Sequence, residues 1–140
     1  MQHIVVGVDG SSASRRAVRW AVEQARATGA DVEVVHTWTP PEMGTDRIDA
    51  ALAAPGDLER EARRELEDVL AGLDERGLVA PVAARIVQAA PVDALLDACH
   101  AADLVVVGRY GLSGRSGDDP AGVGNRLVRE ARCPVVVVPA

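Results

Sequence analysis

The amino-acid sequence predicts an α/β fold, in which a five-stranded parallel sheet lies between two layers of helices. Two observations carry this prediction: five short apolar runs are rich in β-branched residues, and amphipathic helical patterns separate them. Strands that alternate with helices pair in parallel through right-handed crossovers, which gives a three-layer sandwich. The 140 residues suit one domain over 1–140, with no internal repeat.

The predicted strands are almost continuously apolar instead of alternating between apolar and polar residues. They cover residues 4–8, 32–38, 82–87, 104–108 and 135–138. Continuous runs of Val and Ile are typical of parallel strands that helices cover on both faces. We therefore expect the strands to be buried on both faces.

Four helices are predicted between these strands. They cover residues 12–28, 57–73, 91–101 and 122–131. Apolar residues recur on one face of each pattern, and the charges of the second helix, including Glu65, are assigned to its solvent face. Two long loops remain, 39–56 and 108–121, and loops beyond about twelve residues are often functional.

Composition excludes several classes of function. The net charge is −6 and all fifteen basic residues are Arg. An acidic chain is a poor nucleic-acid binder, and a chain without Lys has no Walker lysine and no Schiff-base lysine. No apolar segment approaches the ~20 residues of a membrane span, and the N-terminus lacks the basic region of a signal peptide. We expect a cytoplasmic protein without a membrane partner.

The sequence offers little support for an enzyme. Cys99 and Cys133 lie in apolar settings and are interpreted as buried, reduced thiols. His36 lies within the second strand as a core histidine, and His100 lies at the end of the third helix. No GxSxG or HExxH motif occurs, so we expect no catalytic residues and at most slow ATP hydrolysis.

Asp9 directly follows the first strand, where ligands settle in open α/β sheets. Ser11 or Ser12 is expected to cap the next helix, which places Asp9 one position too early for that role. A carboxylate at the exit of a buried strand is costly unless it is hydrogen-bonded or faces a polar crevice. A ligand site and a structural turn both remain open for Asp9.

A glycine-rich stretch, GRYGLSGRSGDDPAGVGN, follows the fourth strand and contains six of the thirteen glycines. Phosphate groups bind where backbone amides can approach closely and a helix begins. Gly108, Gly111, Gly122 and Gly124 would supply such amides at the start of the last helix. The alternative is a mobile connection with no ligand.

Four blocks in this order resemble the universal stress protein family over essentially the whole chain: IVVGVDGSSASRRAVRWA, VVHTW, ADLVVVGRYG and ARCPVVVVP. The resemblance implies the strand order 3-2-1-4-5 of an adenine nucleotide alpha hydrolase-like fold. In many members ATP binds in the crevice between strands 1 and 4. It also implies a cytoplasmic protein of the stress response.

The ATP-binding members carry the motif Gly-x2-Gly-x9-Gly-Ser/Thr, which this chain matches in part. Gly108 and Gly111 match, whereas Ala121 replaces the third glycine and Gly122 replaces the hydroxyl residue. The positions implied to bind the nucleotide are Asp9, Thr37, Val107, Gly108, Arg109, Gly111, Ala121, Gly122, Val123 and Gly124.

These departures from the motif reduce the number of expected phosphate contacts but do not remove all of them. A lost hydroxyl removes one hydrogen bond to a charged phosphate, worth about 1–3 kcal/mol. Asp118 and Asp119 either compete with phosphate for the helix N-terminus or, together with Asp9, bridge to it through Mg²⁺. Arg109 and Arg115 compensate in part. The expected cofactor is weakly bound ATP, and Mg²⁺ is expected only when ATP is bound.

Two hypotheses for function follow. The first is a stress-response regulator or sensor whose conformation or protein partner depends on ATP. The second is a dimeric interaction module that has lost nucleotide binding. In either case a homodimer is expected through the last strand, with Val135, Val136, Val137 and Val138 as the pairing edge.

Overall fold

The computed structural model describes residues 1–9, 11–39, 55–109 and 123–139. The strands are β1 His3–Val8, β2 Asp31–Trp38, β3 Ala83–Gln88, β4 Leu104–Gly108 and β5 Val135–Val138. The helices are α1 Ser12–Thr28, α2 Pro55–Leu70, α3 Pro91–Ala98 and α4 Val123–Glu130. In this part of the chain, strands and helices alternate in the predicted order. No helix in it is both long and apolar enough to span a membrane.

The five strands form one parallel sheet in the order β3-β2-β1-β4-β5. This confirms the strand order that the family resemblance implied. β1 lies at the centre and pairs with β2 from His3↔Asp31 to Val8↔His36. The chain leaves β1 toward β2 and later returns on its other side to β4. The carboxyl ends of β1 and β4 therefore flank the switch point at which such folds bind ligands.

Alternating residues of the strands feed two separate cores. Ile4, Val6 and Val8 pack with α1 and with Leu66 of α2. The opposite face of the sheet carries Val5, Val105 and Val107, which pack with α3 and α4. The two cores confirm the predicted three layers and fix α1 and α2 on the same face.

The expectation that all strands are buried on both faces is wrong for β3. Ala83, Ala84, Arg85 and Gln88 are exposed, and β5 is half-buried throughout. Both strands lie at edges of the sheet, where only one side is paired. A run of apolar residues reports the composition of a strand but not its position in the sheet.

Several predicted boundaries shift by a few residues. α2 begins at Pro55, inside the predicted loop 39–56, because proline suits a first helical position. It ends at Leu70 and not at 73, since Gly72 adopts a left-handed φ of 74° that no helix continues. α3 likewise ends at Ala98. Residues 40–54 and 110–122 of the two long loops lie outside the described residues.

Candidate functional site

The first turn of α1 is built by a short serine network at the carboxyl end of β1. Ser11 is the N-cap, and its hydroxyl accepts a hydrogen bond from the Ser14 backbone N–H at 3.1 Å. Ser14 Oγ donates back to the Ser11 carbonyl at 3.0 Å. Ser14 is fully buried, which sequence reasoning missed. The spacing Ser-x-x-Ser was the available signal, since a side chain at N3 faces the cap.

Asp9 lies within this network and is half-buried. Its Oδ1 accepts a hydrogen bond from the Ser11 backbone N–H at 2.8 Å, and its own N–H donates to Ser14 Oγ at 3.4 Å. The carboxylate therefore closes an Asx turn. This hydrogen bond offsets the free energy that desolvation of a carboxylate at the end of a buried strand costs. The same hydrogen bond fixes the orientation of the Asp9 side chain at the carboxyl edge of the sheet.

Gly108 ends β4 against the first turn of α1. A Cβ on this glycine would lie 2.6 Å from the carbonyl carbon and 2.7 Å from the carbonyl oxygen of Ala13. No side chain fits there, so packing of the strand against the helix itself requires glycine. The glycine-rich pattern predicted that Gly108 allows close approach of a phosphate. The structure adds a close contact between β4 and the first turn of α1, the turn that also holds Asp9.

The other described residues of the predicted site are distributed around these two. Val107 is buried on the α3 and α4 face, and Thr37 is half-buried and pairs with Val87 of β3. Arg109 is exposed, and its backbone N–H donates to the Val138 carbonyl at 2.8 Å. The structure thus places Val107 in the core, with its backbone at the edge of the crevice.

The start of α4 completes the described part of this end of the sheet. Val123 is buried, and a Cβ on Gly124 would lie 3.7 Å from Val137. Gly124 therefore has room for a side chain and is not required by packing. The remaining predicted residues lie outside the described part of the chain: Gly111, Arg115, Asp118, Asp119, Ala121 and Gly122. Within the described part, no cluster of three or more His, Cys, Asp or Glu side chains is arranged to hold a metal ion.

A buried histidine adjoins the same end of β1. His36 Nδ1 lies 2.8 Å from the Val8 carbonyl oxygen, and its Nε2 lies 2.7 Å from Glu65 Oε2. Because a carbonyl oxygen only accepts, Nδ1 donates the first of these hydrogen bonds. Both ring nitrogens thus have a polar partner, and the contact with Glu65 ties α2 to the sheet.

This contact confirms His36 as a satisfied core histidine and corrects the assignment of Glu65. The charge pattern of α2 placed Glu65 on a solvent face, but its side chain is only 41 % exposed and bonds to His36. Alternating charges on a helix do not reveal which one faces a buried polar group on a neighbouring strand.

The two cysteines pack in the core on the α3 and α4 face of the sheet. Cys99 is buried, Cys133 is half-buried, and both are free thiols. Burial, and then a hydrogen bond with Cys99, raise the pKa of Cys133 to about 12. A thiol with so high a pKa is protonated near neutral pH and reacts slowly. His100 lies just after the end of α3, as predicted, and its Nδ1 lies 3.0 Å from the Asp97 carbonyl oxygen.

Comparisons with known proteins agree on one family. The sequence profile of the universal stress protein family matches residues 1–139. A universal stress protein of Mycobacterium bovis is 33% identical over 138 residues, which cover 96% of this chain and 44% of that protein. The chain thus spans less than half the length of the curated relatives it matches.

Solved structures of similar proteins share the fold. A member of the family from Burkholderia pseudomallei superposes with a TM-score of 0.71 at 27% identity, covering 99% of this chain and 96% of that one. A universal stress protein solved in complex with cAMP superposes with a TM-score of 0.62 at 30% identity, covering 98% and 96%. The fold is therefore common to this chain and to a relative solved in complex with cAMP.

Proposed function

Because the chain belongs to the universal stress protein family, we propose that it binds ATP weakly in the crevice between β1 and β4 and acts as a stress-response regulator. The observation that carries the proposal is the Asp9 turn, which holds a half-buried carboxylate at the switch point of the sheet. The similar protein solved with cAMP supports an adenine nucleotide as the ligand class.

The proposed contacts follow from the chemistry of the crevice. The backbone at Thr37 faces the adenine ring, as the family resemblance implies, and Asp9 accepts hydrogen bonds from nucleotide hydroxyls or binds phosphate through Mg²⁺. Backbone amides from Gly108 to Gly124 approach the phosphates. Binding shifts the protein between states that differ in affinity for an unidentified protein partner, which is the minimum that a regulator requires.

The decisive experiment is calorimetric titration of nucleotide-free protein with ATP, with and without Mg²⁺, and with cAMP for comparison. We expect weak ATP binding that Asp9→Ala weakens about tenfold, since a hydrogen bond to a charged group is lost. Asp31→Ala is the matched control, because Asp31 pairs with His3 at the opposite end of the sheet. It should leave the affinity unchanged.

Two results would contradict the proposal. No heat from folded, nucleotide-free protein at high ATP excludes the nucleotide and favours the second candidate. Equal weakening by Asp9→Ala and Asp31→Ala excludes Asp9 from the site and points to a general loss of stability.

The second candidate is a dimeric interaction module without a nucleotide. It is favoured by β5, which is half-buried and, within the described part of the chain, pairs only with β4. Such an edge can pair with the same strand of a second copy, and Val135–Val138 would then form the interface. Sedimentation of the protein should give a dimer under this proposal, and a monomer at all concentrations would overturn it.

A further inference from the structure

A cleft of about 280 Å³ lies between α1 and the segment that follows α2. Its floor is formed by Val18, Val22 and Val69, and Leu73 and Ala71 form its far wall. The cleft opens on the face of the protein that carries α1 and α2. None of the described residues that are proposed to bind ATP lines it.

Arginine side chains of α1 join the two walls of this cleft at both of its ends. At one end Arg15 Nη1 donates to the Asp68 carbonyl at 3.3 Å. At the other end Arg26 donates to the Arg76 carbonyl at 2.7 Å and to the Asp74 carbonyl at 2.6 Å. The two arginines are eleven positions apart on α1, or about 16 Å at the rise of an α-helix. The wall segment therefore spans this length fastened at both ends.

Arg19 and Val22 lie on the same stripe of α1, between these two contacts, and line the cleft. Opposite them Gly72 adopts a φ of 74°, and a Cβ built there would meet nothing within 4 Å. The left-handed turn at Gly72 carries the backbone past the helix without filling the gap. Open space thus lies beside an apolar floor.

The charges around the cleft leave an excess of positive charge at its rim. Glu23 is paired with Arg26, and Asp74 is paired with Arg76, whose Nε and Nη2 each lie 2.9 Å from a carboxylate oxygen. Both acidic side chains that line the cleft are thereby neutralised. Arg19 is exposed, and none of the described residues forms an ion pair or hydrogen bond with its side chain.

We propose that this cleft is a second binding site, which takes a small organic anion with an apolar body, such as a medium-chain carboxylate. The apolar part lies over Val18 and Val22, and the carboxylate meets the Arg19 guanidinium, which suits it through two parallel hydrogen bonds. The volume is at the small end of the about 300–1,000 Å³ of ligand pockets, which limits the ligand to a short chain or a single ring.

The test is titration of the full chain with octanoate, followed by calorimetry and by the amide chemical shifts of Gly72 and Leu73. Arg19→Gln should weaken octanoate binding about tenfold, the loss expected for one charge-assisted contact. Arg16→Gln is the matched control, because Arg16 is an exposed arginine of the same helix that does not line the cleft. It should change the dissociation constant less than about twofold.

Two further measurements separate specific binding from alternatives. Ala71→Trp, which obstructs the wall without removing charge, should also abolish the shifts at Gly72. The neutral analogue 1-octanol should bind more weakly than octanoate.

Each of the following results overturns the proposal: no binding of octanoate, equal weakening by the Arg16 and Arg19 variants, or shifts confined to other residues. Displacement of octanoate by ATP would place the anion in the crevice between β1 and β4 and overturn it as well. Octanoate binding that persists in a protein unable to bind ATP supports it, so the two proposals fail independently.

Discussion

The two ends of the sheet hold their polar groups in different ways. At the carboxyl end Ser14 is fully buried and His36 is 6% exposed, and both are hydrogen-bonded through their side chains. At the amino end the Asp103 carboxylate accepts from the Gln2 and His3 backbone N–H groups, and these contacts are exposed. Both ends fasten a strand to its neighbours. Among the described residues the buried polar side chains, Ser14 and His36, lie at the carboxyl end, whereas the His3–Asp31 pair at the amino end is only partly buried.

This difference indicates that the carboxyl end has more buried polar contacts than are required to fasten the strands. A buried polar group costs free energy unless every partner is supplied, whereas an exposed one falls back on water. At the amino end the strands are secured by exposed and partly buried contacts. The buried network at the carboxyl end positions Asp9 and the α1 N-terminus closely, and that is the end at which we propose ATP binding.

Gly108→Ala should have the largest effect, because it drives a methyl group into the backbone of the first turn of α1. Overpacking against backbone atoms cannot be relieved by rotation of a side chain, and we expect a loss of about 3 kcal/mol in the free energy of unfolding. Chemical denaturation measures it. The same variant should weaken ATP binding if the crevice is the site.

Gly56→Ala is the control for the change of residue type. Gly56 lies in the first turn of α2, and its Cβ would meet only the tip of Arg60 at 3.6 Å. Replacing glycine by alanine in a helix gains about 0.5 kcal/mol, so this variant should be slightly more stable. If Gly108→Ala is as stable as Gly56→Ala, the close contact between Gly108 and Ala13 does not constrain the fold.

Glu65→Ala should have an intermediate effect at the same end. It leaves the buried His36 ring with a nitrogen that has lost its partner, and we expect a loss of about 1–2 kcal/mol, limited by the partial exposure of Glu65. Glu61→Ala is the matched control, since Glu61 is exposed on the same helix, and it should change stability by less than about 0.5 kcal/mol. Equal losses in both variants would show that His36 does not depend on Glu65.

The order of strands and helices could be predicted from the sequence because its signals are local. Apolar runs and helical periodicity lie within single elements, and Pro91 shows directly where a helix begins, although the start of α2 at Pro55 was missed. Strand order needed the family resemblance, because nothing in β3 or β5 states which neighbour each strand pairs with. For the same reason the exposure of β3 was predicted wrongly.

The candidate site was predictable in position but not in contacts. Asp9 stood out because a carboxylate ending a buried strand requires a partner, yet the partners Ser11 and Ser14 emerge only from the turn geometry. The close approach of Gly108 to Ala13 joins residues that are far apart in sequence. Such contacts depend on how α1 packs on the sheet. The sequence pattern within a single element does not predict this packing.

Asp103→Asn should have the smallest effect, and it tests the amino end of the sheet. Hydrogen bonds from the Gln2 and then the His3 backbone N–H lower the pKa of Asp103 below its ordinary value of 3.8. The stabilisation is therefore fully present above that value and is lost as the pH falls through the lower pKa of the folded state. The denaturation midpoint of the variant should lie slightly below that of the wild type at about pH 7, and the gap should narrow as the pH falls below 3.8. A gap that stays constant over this range would show that the charge of Asp103 contributes nothing. A gap as large as that of Glu65→Ala would show that the exposed end is held as firmly as the buried one.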